Sequence, residues 1–436
     1  MFMAVLENIH YQPMAYEPHS ANAEHSFVPK LNRKPIDQFP QIFLSDGEPW
    51  REANKYAFYR YLDLQKDIKT IHREMSHLTK YADWLEDHGL HWLHFPKRKA
   101  ERCLFRFRGQ LIERRDEGLL APSTASQVMN SVVAFYRWAS VHGYAEQRSK
   151  LFDDKNKVIS FFDKVGFSRT MSVISSELSI PNRTRTGVRL EDGLTPVNES
   201  NVKILMSHLA NHRNYELYLM HKVALMTGCR HETVTTLNID ALRKAYPDAT
   251  FPELMRVKVG PGTGVQTKGD VSGEVYFSVG LINELDDYFA SPEAILRRSK
   301  AKDALQKTMF LTSRGNRYTN QTFGTLLHRL KSELIEAGYT QFGRFKFHQL
   351  RATFGTMLMR SALRALSDSQ ASAIEFVRDA MLHKDESTTW KYIKFIEKEP
   401  VEEAFLETLW KMFTGSKKES DGIIEQFTSH EMFNDV

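Results

Sequence analysis

Cysteine is almost missing from this chain: Cys103 and Cys229 are the only two in 436 residues. Two thiols without metal-ligand spacing exclude a disulfide framework and a zinc finger, and they point to a reducing compartment. No uninterrupted apolar run approaches the ~18 residues of a membrane span. The opening MFMAVLENIHYQPMAYEPH has no basic stretch followed by an apolar one, so neither a signal peptide nor a membrane partner is expected. Charge of one sign is also scarce. Lys+Arg number 59 against Asp+Glu 54, a mild excess that does not by itself imply nucleic acid. The expectation is a soluble intracellular, cytoplasmic protein, long enough for two or three domains with sizeable cores.

The densest set of chemistry-bearing side chains lies between Phe345 and Phe395, in FKFHQLRATFGTMLMRSALRALSDSQASAIEFVRDAMLHKDESTTWKYIKF. It holds His348, Arg351, His383 and Tyr392, with no carboxylate pair, reactive cysteine or phosphate-binding glycine loop. His348 and Arg351 stand three apart in a segment of helical spacing, so both side chains can face one small anion. A guanidinium, two imidazoles and a phenol suit phosphoryl transfer to a tyrosine oxygen, with the arginine as a bidentate clamp. Each piece alone has a plainer reading. An H-x-x-R match arises by chance in a chain of this composition, and an arbitrary tyrosine is usually a core residue. Specificity comes from order and spacing.

H-x-x-R, then a His some thirty residues later, then a Tyr nine beyond that His, resembles the C-terminal signature of the tyrosine recombinases, the phage integrase family. The resemblance implies an upstream arginine in a T-G-x-R turn and a lysine on an intervening β-hairpin. Arg230 fits the first in MTGCRHETVTTLN, after a glycine stop and at the next helix's first turn, where helix N-termini attract anions. One departure is visible: the family usually carries Glu or Asp three after this arginine, whereas here Glu232 falls at +2 and Thr233 at +3. Lys268, at a hairpin tip in QTKGDVSG, fits the second, with Lys258 as the other candidate. Exposed hairpin lysines are otherwise solubility devices. The resemblance spans roughly residues 50–413. It implies the catalytic set Arg230, Lys268, His348, Arg351, His383 and Tyr392, with no metal and no cofactor.

Along the chain, residues 1–44 have no sustained period and read as an extended N-terminal arm, partly ordered on the rest of the protein, with a small DNA- or partner-contacting extension as the sharper reading. Residues 45–165 turn helical, with Ile71, Met75, Leu78, Tyr81, Ala82 and Leu85 on one stripe and Gly89, Gly118 and Gly143 as stops. Residues 96–115 hold eight Lys/Arg against two Glu, with Pro96 suited to a first helical turn. A solvated basic face is the plain reading. Phe105 and Phe107 between arginines favour a phosphate-tracking surface of Lys97, Arg98, Lys99, Arg102, Arg106 and Arg108. PSTASQVMNSVVAFYRWASVHGY reads as a helix capped by Ser123 or Thr124. Residues 166–195 read as a linker whose Arg183, Arg185 and Arg189 meet DNA backbone. Residues 196–413 form the catalytic half, with short antiparallel strands around Lys268 and a helix capped by Thr319 or Asn320. Val401, Phe405, Leu406, Leu409, Trp410 and Phe413 share a helical stripe, packing in cis or on a neighbouring protomer, before a tail at 414–436.

The expected fold is mainly α with a small antiparallel β-sheet. A helical core-binding domain precedes an α+β catalytic domain, the two forming a C-shaped DNA clamp. The implied function is a site-specific recombinase or integrase that cuts and rejoins DNA through a 3′-phosphotyrosine, without metal or ATP. The implied partners are double-stranded DNA with specific sites, three further copies of the chain in a tetramer on DNA (monomer or dimer when free), and an optional DNA-bending accessory factor. A type IB topoisomerase, a telomere resolvase and a catalytically silent DNA-binding protein are the alternatives. The implied setting is bacterial or phage-encoded, on the nucleoid.

Overall fold

Helical apolar spacing punctuated by glycine stops should give a chain of packed helices, and a computed structural model has that form. It describes all residues except 1–2, 19–24, 31–34, 146–150, 163–167, 183–189, 191–192, 213, 250, 367–368, 385 and 399–436. The chain divides into two units, Met1–Arg185 and Thr186–Val436. Among the described residues no helix is long and apolar enough to cross a membrane.

In the first unit β1 (Val5–Tyr11) pairs antiparallel with β4 (Ile36–Phe43), and β2 (Met14–Pro18) with β3 (His25–Pro29). Four helices follow: α1 (Arg51–Leu62), α2 (Ile68–Asp87), α3 (Cys103–Asp116) and α4 (Pro122–Val141). The predicted α2 stripe is buried throughout, and α2 packs on α4. This core is rich in rings that must place their polar atoms. The hydroxyls of Tyr81 and Tyr136 lie 2.8 Å apart, and Tyr136 also donates to the Trp92 carbonyl. Gly89, Gly118 and Gly143 take left-handed φ just past α2, α3 and α4, as stops should.

The segment read as an arm packs on the rest of its unit: Phe39 and Ile42 are fully buried in the helical core. The Asn54 side chain accepts from the Ile42 N–H (2.8 Å) and donates to its carbonyl (3.0 Å), pinning β4 to α1. No local pattern announces this, because β1 finds its partner some thirty residues away. Within 166–195, β6 (Ser168–Ser176) pairs antiparallel with β5 (Asp154–Phe162), and Leu178 and Ile180 are buried in the first unit's core. The helix read from Pro96 begins only at Cys103, after one 3-10 turn at Lys99–Glu101. The Arg102 guanidinium holds the carbonyls of Pro96 (3.0 Å) and Lys97 (3.5 Å) and so closes a loop there. At α4, Pro122 opens the helix after Ala121, with no side-chain cap. The preset φ of proline does what Ser123 or Thr124 was expected to do.

The second unit opens with α5 (Glu199–Ala210), α6 (Tyr215–Thr227), α7 (His231–Thr236) and α8 (Ile239–Arg243). A three-stranded antiparallel sheet follows, β7 (Tyr246–Pro247), β8 (Leu254–Val259) and β9 (Gly273–Ser278), in that order. Then come α9 (Val279–Ala290), α10 (Pro292–Ser299), α11 (Asn320–Glu336), α12 (Gln349–Ala365), α13 (Gln370–Ala380) and a last helix, α14, at residues 386–398. Thr319 caps α11 in a reciprocal capping box with Thr322. α12 packs against α6 and α13, and α13 packs on β9. The only buried carboxylate of α6, Glu216, accepts from Arg297, from the Tyr318 hydroxyl (2.9 Å) and from the Leu311 N–H (2.7 Å). That brace fixes the start of the helix whose other end carries the site.

Candidate active site

α6 ends at Gly228 because the chain takes φ +66° there, and because a side chain at this position would run into the Phe354 ring of α12. The turn sets Arg230, half-buried, at the N-cap of α7. Cys229 between them is buried, and burial pushes its thiol above the ordinary range, so it packs rather than reacts.

α12 supplies the second wall. His348 is its N-cap, half-buried, and Arg351 lies in its first turn, 4 % exposed. Arg351 does not share an open face with His348, as the i, i+3 spacing suggested. Its Nη1 donates to the Gly228 carbonyl (2.6 Å) and its Nη2 to the Met381 carbonyl (2.7 Å). One side chain therefore ties the Gly228–Arg230 turn to the turn that ends in His383. A guanidinium has five N–H donors, and two are used in this brace.

The third wall is the hairpin connection. Strands β8 and β9 pair from Leu254↔Ser278 to Val259↔Gly273, so residues 260–272 leave the sheet together. Buried Thr267 faces the same cleft as Gly228, Arg230, Arg351, Met381 and Leu382. Lys268, the next residue, is exposed at the tip, beside Gly269 and Asp270 at φ +72° and +53°. Lys258 lies on β8 with its ammonium 5.8 Å from the centre of the Tyr246 ring.

Past Met381, Leu382 takes φ +50° and turns the chain so that His383 is buried. The His383 Nδ1 lies 2.9 Å from the Thr389 hydroxyl, and its ring stacks on Tyr392 at 5.9 Å and 24°. Tyr392 is fully buried. Room for it comes from Gly355: a Cβ there would stand 2.5 Å from the Tyr392 ring and 2.6 Å from the Met381 sulfur. Arg351 and Gly355, four apart, share one face of α12, so the guanidinium and the phenol occupy the same side.

Residues 196–399 match the family model described as phage integrase family. This second unit belongs to that family. Tyrosine recombinases of this family cleave and rejoin DNA strands. Among solved structures, the chain is similar to the Tn1549 transposon integrase (residues 82–397) in complex with circular intermediate DNA. The identity is 13%, covering 78% of this chain and 94% of that one, with a TM-score of 0.47. It is also similar to a lambda integrase (75–356) dimer bound to a COC′ core site, at 14% identity, 77% and 93% coverage and a TM-score of 0.45. No curated protein matches.

The basic residues of the first unit are less uniform than their clustering suggested. The Lys99 ammonium is held by Asp153 (2.5 Å) and Glu177 (3.0 Å). Arg102 is buried on backbone carbonyls, including Leu151 (3.4 Å). Arg108 donates to the carbonyls of Leu178 (3.1 Å) and Ser179 (3.4 Å). These three cations brace the unit rather than forming an outward stripe. Phe107 is a core ring and Phe105 packs against the same core, which removes the aromatic argument for a phosphate-tracking face. Lys97, Arg98 and Arg106 are exposed, Arg98 near Glu101 (3.4 Å) and Arg106 beside the Trp84 ring. Arg183, Arg185 and Arg189 lie outside the described residues, as does the stripe from Val401 to Phe413. Three site features escaped the sequence reading: the Arg351 brace, Thr389 and the seat at Gly355. Only the last left a signal, a glycine in the interior of a helix. Among the described residues no group of three or more His, Cys, Asp or Glu is arranged to hold a metal ion.

Proposed function

We propose that this chain is a site-specific DNA recombinase or integrase that cuts and rejoins strands through a 3′-phosphotyrosine. The observation that carries the reading is one cleft lined by Arg230, Thr267, Arg351 and Met381, with Lys268 the residue that follows Thr267. Its remaining wall leads directly into His383 stacked on Tyr392. Tyr392 attacks the scissile phosphorus, and the departing 5′ oxygen takes a proton from Lys268. Arg230 and Arg351 neutralise charge that grows on the non-bridging oxygens, where fixed donors act most strongly. His348 assists proton transfer and His383 donates a hydrogen bond to the phosphate. One phosphodiester replaces another, so a 5′-hydroxyl can later reverse the step, and the balance calls for neither ATP nor a metal. Ionising a free tyrosine at pH 7 costs about 4 kcal/mol, which the cationic cleft must offset.

A fully buried phenol does not touch a phosphate, so DNA binding on this reading is accompanied by a movement that uncovers the Tyr392 hydroxyl while His383, Thr389 and Tyr392 stay packed together. The partner is double-stranded DNA with a specific site, on which four copies assemble, with a DNA-bending factor as an optional addition. The test is a suicide substrate, nicked near the candidate site so that the cleaved end diffuses away, followed by denaturing gel and peptide mapping. A covalent adduct at Tyr392, absent from Tyr392→Phe although that variant binds DNA normally, is the expected result. Adduct retained in Tyr392→Phe would sink the nucleophile assignment. No adduct on bound DNA would leave a binding protein without the activity.

A further inference from the structure

We propose that Thr389 is a positioning residue that fixes the tautomer of His383, its hydroxyl donating to Nδ1 so that the ring carries its hydrogen on Nε2. The inference deepens the reading above and rests on it for its functional meaning. A neutral imidazole has one donor nitrogen and one acceptor nitrogen, and the partner of one decides the state of the other. A phosphate oxygen only accepts. A neutral histidine that hydrogen-bonds a phosphate through Nε2 must therefore carry its hydrogen there, and Nδ1 must accept.

The Nδ1 of His383 meets a group that allows this. A carbonyl or carboxylate beside Nδ1 would accept and force the hydrogen onto it. His88, His142 and His221 show that arrangement, with Nδ1 on the carbonyls of Trp84 (2.8 Å), Trp138 (2.9 Å) and Leu217 (2.7 Å). At His383 the partner is the Thr389 hydroxyl at 2.9 Å, which can donate.

Placement supports a positioning role. Thr389 is fully buried and His383 nearly so, which makes their hydrogen bond dry and directional. Thr389 stands three residues before Tyr392 on α14, one helical turn away on the same side. The bond therefore holds the imidazole on the helix that carries the phenol, where the two rings stack. Orientation of the ring and the position of its hydrogen are set by one side chain.

The experiment uses the full chain labelled with 15N-histidine, as wild type, Thr389→Val, Thr389→Ser and His383→Gln, the last only to assign the His383 signals. Long-range 1H–15N spectra at pH 8 without DNA should show His383 in wild type and Thr389→Ser with its hydrogen on Nε2. In Thr389→Val that signature should be lost or averaged while the melting midpoint stays near wild type. Adduct formation on the suicide substrate should fall about tenfold in Thr389→Val, the equivalent of one hydrogen bond, and return in Thr389→Ser. Wild-type His383 with its hydrogen on Nδ1 would overturn the proposal, because the hydroxyl then accepts. An unchanged rate in Thr389→Val, or a loss that Thr389→Ser does not restore, would overturn the positioning role. Absence of any adduct in wild type, with the Nε2 hydrogen in place, would instead refute the recombinase reading and leave the tautomer assignment standing.

Discussion

Replacing a glycine inside a helix by alanine ordinarily stabilises, by about 1 kcal/mol, because alanine has less backbone freedom to lose. At Gly355 the sign should reverse. A Cβ there would sit 2.5 Å from the Tyr392 ring, 2.6 Å from the Met381 sulfur and 2.7 Å from its methyl. The Met381 side chain can turn aside cheaply. The Tyr392 ring cannot, since it is fully buried and stacked on His383. Overpacking of this kind costs about 1–3 kcal/mol, so Gly355→Ala should be destabilised by up to about 2 kcal/mol after the helical gain. The control is Gly324→Ala in α11, where nothing lies within 4 Å of the added Cβ. That variant should gain up to about 1 kcal/mol. Thermal melts of the two variants should move in opposite directions, by about 2–4 °C per kcal/mol. Adduct formation should fall in Gly355→Ala alone, since its phenol is displaced. If both variants melt higher and both retain full adduct formation, the seat assigned to Tyr392 is wrong.

Arg230 and Arg351 should separate in the same assays. Arg351→Ala strands the carbonyls of Gly228 and Met381, and each buried unpaired group costs about 1–3 kcal/mol, so urea unfolding should register a clear loss. Arg230→Ala, half-buried at a helix start, should keep the fold and lose cleavage, and equal destabilisation of the two variants would contradict the brace. A pH dependence should come from His221, whose pKa burial pushes down to about 4. The sign follows from proton uptake: below about 6.5 the unfolded chain binds a proton that the folded core refuses, so stability falls as pH drops toward 4. The loss should be about 2 kcal/mol by pH 5, read as the difference between urea midpoints at pH 7.5 and 5.0. His221→Gln should flatten the response of the second unit, and an unchanged slope would point to other groups.

Local chemistry made much of this chain legible. The α2 stripe, the glycine ends of α2, α3, α4 and α6, the Thr319 cap and the strands on either side of Lys268 depend on spacing within a few residues. Misreadings arose where one side chain answered to a distant partner. The basic run at 96–115 reads as a face in sequence, yet Lys99, Arg102 and Arg108 turn to carboxylates and carbonyls from 96 to 179. Likewise β1 and β6 have no helical period and find their partners by pairing, β1 across some thirty residues.

For the proposed site, the sequence by itself determined which candidate residues are present and in what order: Arg230, Lys268, His348, Arg351, His383 and Tyr392. It also determined the turns that carry them, because glycine and short polar residues impose local geometry. Only the tertiary structure decided what each side chain faces. Arg351 turns inward to two carbonyls 123 and 30 residues away. Tyr392 is sealed against a glycine on another helix, and a threonine hydroxyl lies against the His383 ring. Hydrogen bonds and ring contacts act over a few ångströms of space, so the partners that complete the site lie where no local pattern in the sequence reaches.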